Sequence, residues 1–220
     1  MDFQAARKAM VNSQVRPNDV TDLQLQLTME EIPREIFLPS GLREQAYVER
    51  EHLYGEGDDV RAMIKPRDFA KLINCAAPRP EDLVLEIGCG TGYCTAVMAN
   101  LSEMVVAVEP NEAHRLSAQD NLSTLKIDNA AIVDAPLLEG APDQGPFDLI
   151  IISMAISAEP EKLLTQLKPG GRLATIWIEN NHARGCLFYH QDGTTSRADR
   201  FDAGSRTLLE AFNSKPAFRF

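Results

Sequence analysis

Short apolar runs alternate with amphipathic stretches along most of this 220-residue sequence. Continuous apolar runs are typical of buried parallel strands, whereas apolar residues three and four positions apart are typical of helices. Strands are predicted over residues 82–87, 104–108, 129–133 and 147–153, and within LKPGGRLATIWI at 167–178. Helices are predicted just after Pro66 and over residues 92–101, 111–124 and 159–167. This alternation predicts an α/β protein with a doubly wound sheet and right-handed crossovers.

The N-terminal part of the sequence carries weaker signals. Apolar residues at near-helical spacing predict an amphipathic helix over residues 2 to about 14. Asp22 is a candidate cap for a second helix that ends at Pro33, although the Leu/Gln alternation over residues 23–27 also fits a strand. Residues 32–65 show few regular signals.

The pattern changes again after residue 178. Segments 184–191 and 195–202 flank Asp192-Gly193, which is a hairpin signal. The last five residues, PAFRF, alternate enough to predict a final strand.

Three alternating glycines, Gly88, Gly90 and Gly92, interrupt the stretch LVLEIGCGTGY at 83–93. An apolar strand precedes them and a helical pattern follows, so the sequence predicts a glycine turn at a helix N-terminus. Glycine permits positive φ and lets a ligand approach the main chain, and the helix N-terminus favours a negatively charged group. The stretch therefore predicts a nucleotide-type site.

The spacing distinguishes between nucleotides. A dinucleotide fingerprint needs a third glycine where this sequence has Tyr93, which argues against NAD. The glycine turn, with Glu86 before it and Glu109 ending the next apolar run, resembles the first two motifs of S-adenosylmethionine-dependent methyltransferases. The resemblance implies that Glu109 binds the two ribose hydroxyls, and a carboxylate is chemically suited to accept from a vicinal diol. It implies that Asp134 accepts a hydrogen bond from the adenine amine, while Tyr93 either lies over the cofactor or only covers the helix start. The cofactor-binding residues expected on this basis are Glu86, Gly88, Gly90, Tyr93, Glu109, Pro110, Asp134 and Ala135.

Composition narrows the class of protein. A net charge of −10 without a local basic patch disfavours binding to nucleic acid. No apolar run approaches the roughly 20 residues of a membrane span, and the N-terminus lacks a signal-peptide core, so we expect a cytoplasmic protein with no membrane partner. The four cysteines form no CxxC pair and the four histidines show no ligand spacing, so we predict reduced thiols and no metal.

Further stretches extend the likeness over most of the chain. They are IPREIFL at 32–38, Ala46-Tyr47, Gly55-x-Gly57, Pro66, Glu109, FDLIII at 147–152 and LKPGGRL at 167–173. In these the chain resembles the protein-L-isoaspartate O-methyltransferases. The resemblance implies a seven-stranded, mostly parallel, Rossmann-like core over residues 66–220, with an N-terminal helical cap and substrate-side segment over 1–65. It also implies a protein or peptide partner, in which the carboxylate of an isoaspartyl residue accepts the methyl group of S-adenosylmethionine.

One departure from the family pattern concerns the serine that is taken to orient the reacting carboxylate. Counting back from Pro66 puts Ile64 in its place, and counting forward from Gly57 puts Arg61 there; no serine or threonine lies between Ser40 and Thr91. Ile64 and Arg61 are therefore the two candidate catalytic positions.

The departure has three readings. Arg61 or Lys65 could pair with the substrate carboxylate, although Asp58-Asp59 would oppose an anionic substrate. Alternatively, the chain binds the cofactor without repair activity, acting on another acceptor or as a non-catalytic binding module. In the third reading, Arg61 and Lys65 are ordinary solvated surface charges.

Overall fold

The computed structural model describes residues 1–191 and 193–213. Its strands are β1 (His52–Tyr54), β2 (Arg61–Met63), β3 (Leu83–Ile87), β4 (Met104–Val108), β5 (Ala130–Val133), β6 (Phe147–Ile156), β7 (Leu167–Glu179), β8 (His182–Gln191) and β9 (Thr194–Asp202). Seven of these form one sheet in the order β5-β4-β3-β6-β7-β8-β9. The first five strands in that order are parallel, and β8 and β9 extend the sheet antiparallel. The predicted doubly wound, mostly parallel sheet of seven strands is confirmed.

The α-helices are α1 (Phe3–Met10), α2 (Leu23–Glu31), α3 (Pro66–Ala76), α4 (Tyr93–Ala99), α5 (Glu112–Thr124) and α6 (Glu161–Leu164). Side chains of Asp2, Asp22 and Asn111 cap the N-termini of α1, α2 and α5. The Asp22 carboxylate accepts a hydrogen bond from the Leu25 amide at 3.0 Å, so the cap outweighs the Leu/Gln alternation and the strand alternative is wrong. Helix α6 is shorter than predicted, because Leu167 already pairs with Phe147 in the sheet.

Residues 32–65 contain more regular structure than their sequence indicates. Two 3-10 turns, Arg34–Phe37 and Ser40–Gln45, lead into a hairpin formed by β1 and β2. The hairpin pairs Tyr54 with Arg61, so these two side chains share one face of the hairpin. Each strand has only three residues, which is too short for its alternation to be recognised in the sequence.

The last described residues fold back along the end of β6. The Asp68 carboxylate accepts hydrogen bonds from the amides of Gly204 at 2.8 Å and Ser205 at 2.6 Å. The amide of Leu209 donates to the carbonyl of Ala155 in β6 at 2.8 Å. Leu209 is fully buried, so residues 203–213 form part of the core.

Two sequence predictions concern the C-terminal part of the chain. Strands β8 and β9 pair antiparallel up to Gln191 and Thr194, which confirms the hairpin. Asp192 of the turn signal and the PAFRF strand lie outside the described residues. The division of the chain at residue 65 stays a prediction. In the described part of the chain, no helix has the length and apolarity that crossing a membrane requires.

We expect Asp68→Ala to lower the free energy of unfolding by about 2 to 4 kcal/mol, because it leaves two buried amides without an acceptor. Urea denaturation measures the change, with Asp143→Ala at an exposed carboxylate as the control, for which the change should stay within about 0.5 kcal/mol. Equal effects of the two substitutions would contradict the anchoring of residues 203–213 by Asp68.

Candidate active site

The predicted glycine turn lies between β3 and α4. Gly88, Gly90 and Gly92 have φ values of +72°, +55° and +92°, which residues other than glycine rarely adopt. The Gly88 amide donates to the carbonyl of Val108 in β4 at 2.8 Å. The strand order reverses at β3, which pairs with β4 on one side and β6 on the other, and ligands of such sheets bind at this position.

The Glu109 carboxylate follows β4 and is completely buried beside this turn. Its Oε2 accepts from the Gly90 amide at 2.9 Å and from Arg61 Nε at 2.8 Å. Its Oε1 accepts from the Asn111 amide at 3.1 Å and from Arg61 Nη2 at 2.6 Å. A carboxylate offers about four lone-pair positions, so these four donors use its full capacity.

Arg61 reaches Glu109 from strand β2 and is only 1% exposed. The reading of Arg61 as a solvated surface charge is therefore wrong. Removing one partner of a buried ion pair of this kind costs about 3–5 kcal/mol, because the other charge stays buried without compensation. Burial alone raises the pKa of Glu109, but the adjacent His114 imidazole and Arg61 guanidinium outweigh it and lower the pKa to about 2.

Two more side chains occupy the space in front of the glycine turn. A methyl group built on Gly90 would lie 2.3 Å from the Tyr54 hydroxyl oxygen, and one on Gly88 would lie 3.2 Å from Leu209 Cδ2. The cavity left beside Gly88 has a volume of about 20 Å³, which is room for about one water molecule. The side chains of Arg61, Tyr54 and Leu209 therefore lie directly against the glycine turn.

The small cavity collects side chains from several elements. Ile64 lines it and is 2% exposed, whereas Arg61 binds Glu109. The two candidate catalytic positions therefore lie in different parts of the site. Ser153 of β6 also lines the cavity and brings a hydroxyl to it. The sequence search for a replacement hydroxyl missed Ser153 because it covered only residues 40–91, although this serine ends the apolar run FDLIIIS.

Two buried polar groups lie on the wall of the cavity, Arg34 Nη1 and the Tyr93 hydroxyl. They interact with each other, and neither has another hydrogen-bond partner among the described residues. The other guanidinium nitrogens of Arg34 donate to the carbonyls of Ala46 at 2.8 Å and Ile64 at 2.5 Å. The guanidinium lies over the Tyr93 ring, with Cζ 4.8 Å from the ring centroid. Tyr93 thus covers the start of α4 and also lines the cavity, beside the Arg34 guanidinium.

The Glu86 carboxylate in β3 lies behind the turn. Its Oε2 accepts a hydrogen bond from Thr95 Oγ1 at 2.6 Å, and burial raises its pKa to about 7. Burial also raises the pKa of the Cys89 and Cys94 thiols well above the ordinary value, so both act as small packing groups. All four cysteines of the chain are free.

The remaining predicted cofactor residues lie toward the surface. Pro110 is exposed and Ala135 is half-buried. The exposed Asp134 carboxylate pairs with Arg115 Nη2 at 3.1 Å.

Lys65, the other candidate partner of a substrate carboxylate, is half-buried, and its backbone amide donates to Ser205 Oγ at 3.1 Å. The structure thus brings Gly90 into contact with Glu109, and Gly88 and Tyr93 to the wall of one small cavity.

The sheet, its glycine turn and the acid after the neighbouring strand define a class, the S-adenosylmethionine-dependent methyltransferases with a Rossmann-like core. The sequence profile of the family Protein-L-isoaspartate(D-aspartate) O-methyltransferase (PCMT) matches residues 5–199. The chain belongs to this family of methyltransferases, whose cofactor is S-adenosylmethionine.

Similar proteins support this membership over most of the sequence. A protein-L-isoaspartate O-methyltransferase of Roseiflexus castenholzii is 34% identical over 200 residues, which cover 91% of this chain and 89% of the relative. One from Pelotomaculum thermopropionicum is 35% identical over 167 residues, covering 76% of this chain and 72% of the relative.

Solved structures share the fold. A protein-L-isoaspartate O-methyltransferase superposes with a TM-score of 0.78 at 26% identity over 91% of this chain, which spans 65% of the length of that protein. A Plasmodium falciparum structure described as a beta-aspartate methyltransferase in complex with S-adenosyl-L-homocysteine has a TM-score of 0.73 at 21% identity. The match covers 92% of this chain and 97% of the Plasmodium chain, and at that identity it shows the fold alone.

We expect the raised pKa of Glu86 to make stability fall as the pH rises. The folded protein keeps this proton up to about pH 7, whereas the unfolded chain releases it near 4.5, so the contribution is complete below 4.5 and is lost toward and above 7. Between pH 5 and 8, Glu86→Gln should gain about 2 to 3 kcal/mol of unfolding free energy relative to the unmodified protein. Urea denaturation at the two pH values measures this gain, and Glu81→Gln at an exposed carboxylate should show none. A gain that is the same at both pH values would contradict the assignment.

Proposed function

We propose that the chain methylates the side-chain carboxylate of isoaspartyl residues in proteins or peptides. The names of its relatives support this acceptor. The observation that carries it is a pair of adjacent buried donors, Arg34 Nη1 and the Tyr93 hydroxyl, in the cavity beside the glycine turn, which have no other partner in the described part of the chain. In this family S-adenosylmethionine supplies the electrophilic methyl group.

Arg34 and Tyr93 suit a carboxylate for electrostatic reasons. Two donors, one of them charged, match the acceptor atoms of one carboxylate, and hydrogen bonds to a charged group are the stronger ones. Arg34 is held in place by two backbone carbonyls, so its Nη1 is oriented before any substrate arrives. Arg34 and Tyr93 are both buried, so a carboxylate that reaches them would be largely desolvated.

The test is transfer of labelled methyl groups to an isoaspartyl peptide, with the matching aspartyl peptide as control. Only the isoaspartyl peptide should be labelled. Tyr93→Phe removes one donor to the carboxylate and should raise KM for the peptide about 10-fold. Its free energy of unfolding should fall by no more than about 1 to 2 kcal/mol, because Arg34 is the one partner of the hydroxyl in the described part of the chain. Tyr189→Phe, whose hydroxyl accepts from Arg200, is the control, and equal KM values for the two variants would contradict the role of Tyr93.

The position of Ile64 gives a second test. Because Ile64 lines the cavity, Ile64→Ser should place a hydroxyl near the substrate carboxylate and raise kcat/KM about 10-fold. Ile64→Ala removes a similar side-chain volume without adding a hydroxyl and should not raise the rate. If neither variant exceeds the unmodified protein, the alignment that puts Ile64 in place of the family's serine is wrong.

A second candidate function is favoured by the four donors that saturate Glu109. On this alternative the chain has no isoaspartyl repair activity and acts on another acceptor or as a non-catalytic binding module. No label on the isoaspartyl peptide, at saturating cofactor and with an active relative as positive control, would favour it over repair methylation.

A further inference from the structure

We propose that Arg61 is an internal competitor of the cofactor, whose guanidinium takes the hydrogen-bonding positions of Glu109 that a bound ribose would need. In Rossmann-like sheets, an acidic residue after the second strand accepts hydrogen bonds from the ribose of the bound nucleotide. Here Arg61 already binds both oxygens of that acid. The proposal rests on the cofactor of the family and does not depend on the isoaspartyl acceptor.

The hydrogen bonds of Glu109 make the two occupants mutually exclusive. The Gly90 amide uses one lone pair of Oε2 and the Asn111 amide uses one of Oε1, which leaves one lone pair on each oxygen. A vicinal diol donates one hydrogen bond to each oxygen and would use these two positions. Arg61 Nε and Nη2 fill the same two positions at 2.8 and 2.6 Å. An adenosyl compound can therefore reach Glu109 only after Arg61 has left it.

The exchange requires a movement of Arg61, either of its side chain alone or of the hairpin that carries it. Strands β1 and β2 pair with each other and form a sheet separate from the seven-stranded one. Gly55 and Gly57, both with positive φ, lie in their connection, and Leu53 is 53% exposed. Because Tyr54 and Arg61 are opposite each other in the hairpin, one outward movement removes Arg61 from Glu109 and the Tyr54 hydroxyl from Gly90 together.

Direct binding of S-adenosylhomocysteine, measured by calorimetry without any methyl acceptor, tests the proposal. Arg61→Ala should lower Kd at least 10-fold relative to the unmodified protein, because it frees both positions on Glu109. Arg61→Met, which keeps most of the side-chain volume without donors or charge, is the second variant should the alanine variant fold poorly. A thermal unfolding midpoint that S-adenosylhomocysteine raises more in these variants than in the unmodified protein would agree with the tighter binding.

Arg172→Ala is the matched control. It breaks another buried ion pair, with Asp82 just before the start of β3, and should lower stability without changing Kd for S-adenosylhomocysteine. Binding by the Arg61 variants that is no tighter than that of the unmodified protein would overturn the proposal. Tighter binding in the Arg172 variant as well would also overturn it, since the gain would then reflect general loosening.

Hydrogen exchange of the unmodified protein provides a measurement that needs no variant. With S-adenosylhomocysteine at saturation, the amides of residues 52–63 should exchange faster while those around the glycine turn exchange more slowly. Slower or unchanged exchange over residues 52–63 would contradict displacement of the hairpin. Absence of label on an isoaspartyl peptide would affect only the proposed acceptor, because none of these measurements uses one.

Discussion

A buried negative charge must be neutralised where it lies, and the Glu109 carboxylate imposes this requirement at the centre of the molecule. It binds the glycine turn through Gly90, the start of α5 through Asn111 and the β1–β2 hairpin through Arg61. Three segments that are distant in the sequence therefore take their positions from one charge. The closed arrangement of the site follows from charge neutralisation as much as from apolar packing.

The two acids of the site show how strongly the partner determines the state of a carboxyl group. Glu86 and Glu109 are both fully buried. Glu86 belongs to β3, and Glu109 directly follows the neighbouring strand β4. Glu109 lies against a guanidinium and stays ionised, with a pKa of about 2. Glu86 has the Thr95 hydroxyl as its donor and no cation in contact, so burial dominates and its pKa rises to about 7. Two equally buried carboxyl groups thus have pKa values shifted in opposite directions.

The parts that the sequence predicted are those determined by nearby residues. Apolar runs such as FDLIIIS gave the central strands, and the cap at Asp22 gave the start of α2. The glycine turn and Glu109 were predicted because the turn needs glycine at positive φ and the acid directly follows a strand. The contact between Arg61 and Glu109 could not be predicted in this way, since 48 residues separate the two and the strand carrying Arg61 is only three residues long. The position of Ser153 could not be predicted either, because it lies far from Ile64 in the sequence and only the fold brings both to the same cavity.

The contact between Asp68 and the amides of Gly204 and Ser205 also affects how the protein is made. These partners are 136 and 137 residues apart, so the carboxylate leaves the ribosome long before the amides that it binds. Contacts of such long range in the sequence form slowly, because the entropy of loop closure is lost before the contact is gained. Leu209, which covers Gly88, is translated after all seven strands of the sheet. The nascent chain therefore passes through a stage at which the side of Gly88 that Leu209 covers in the folded protein is open to solvent.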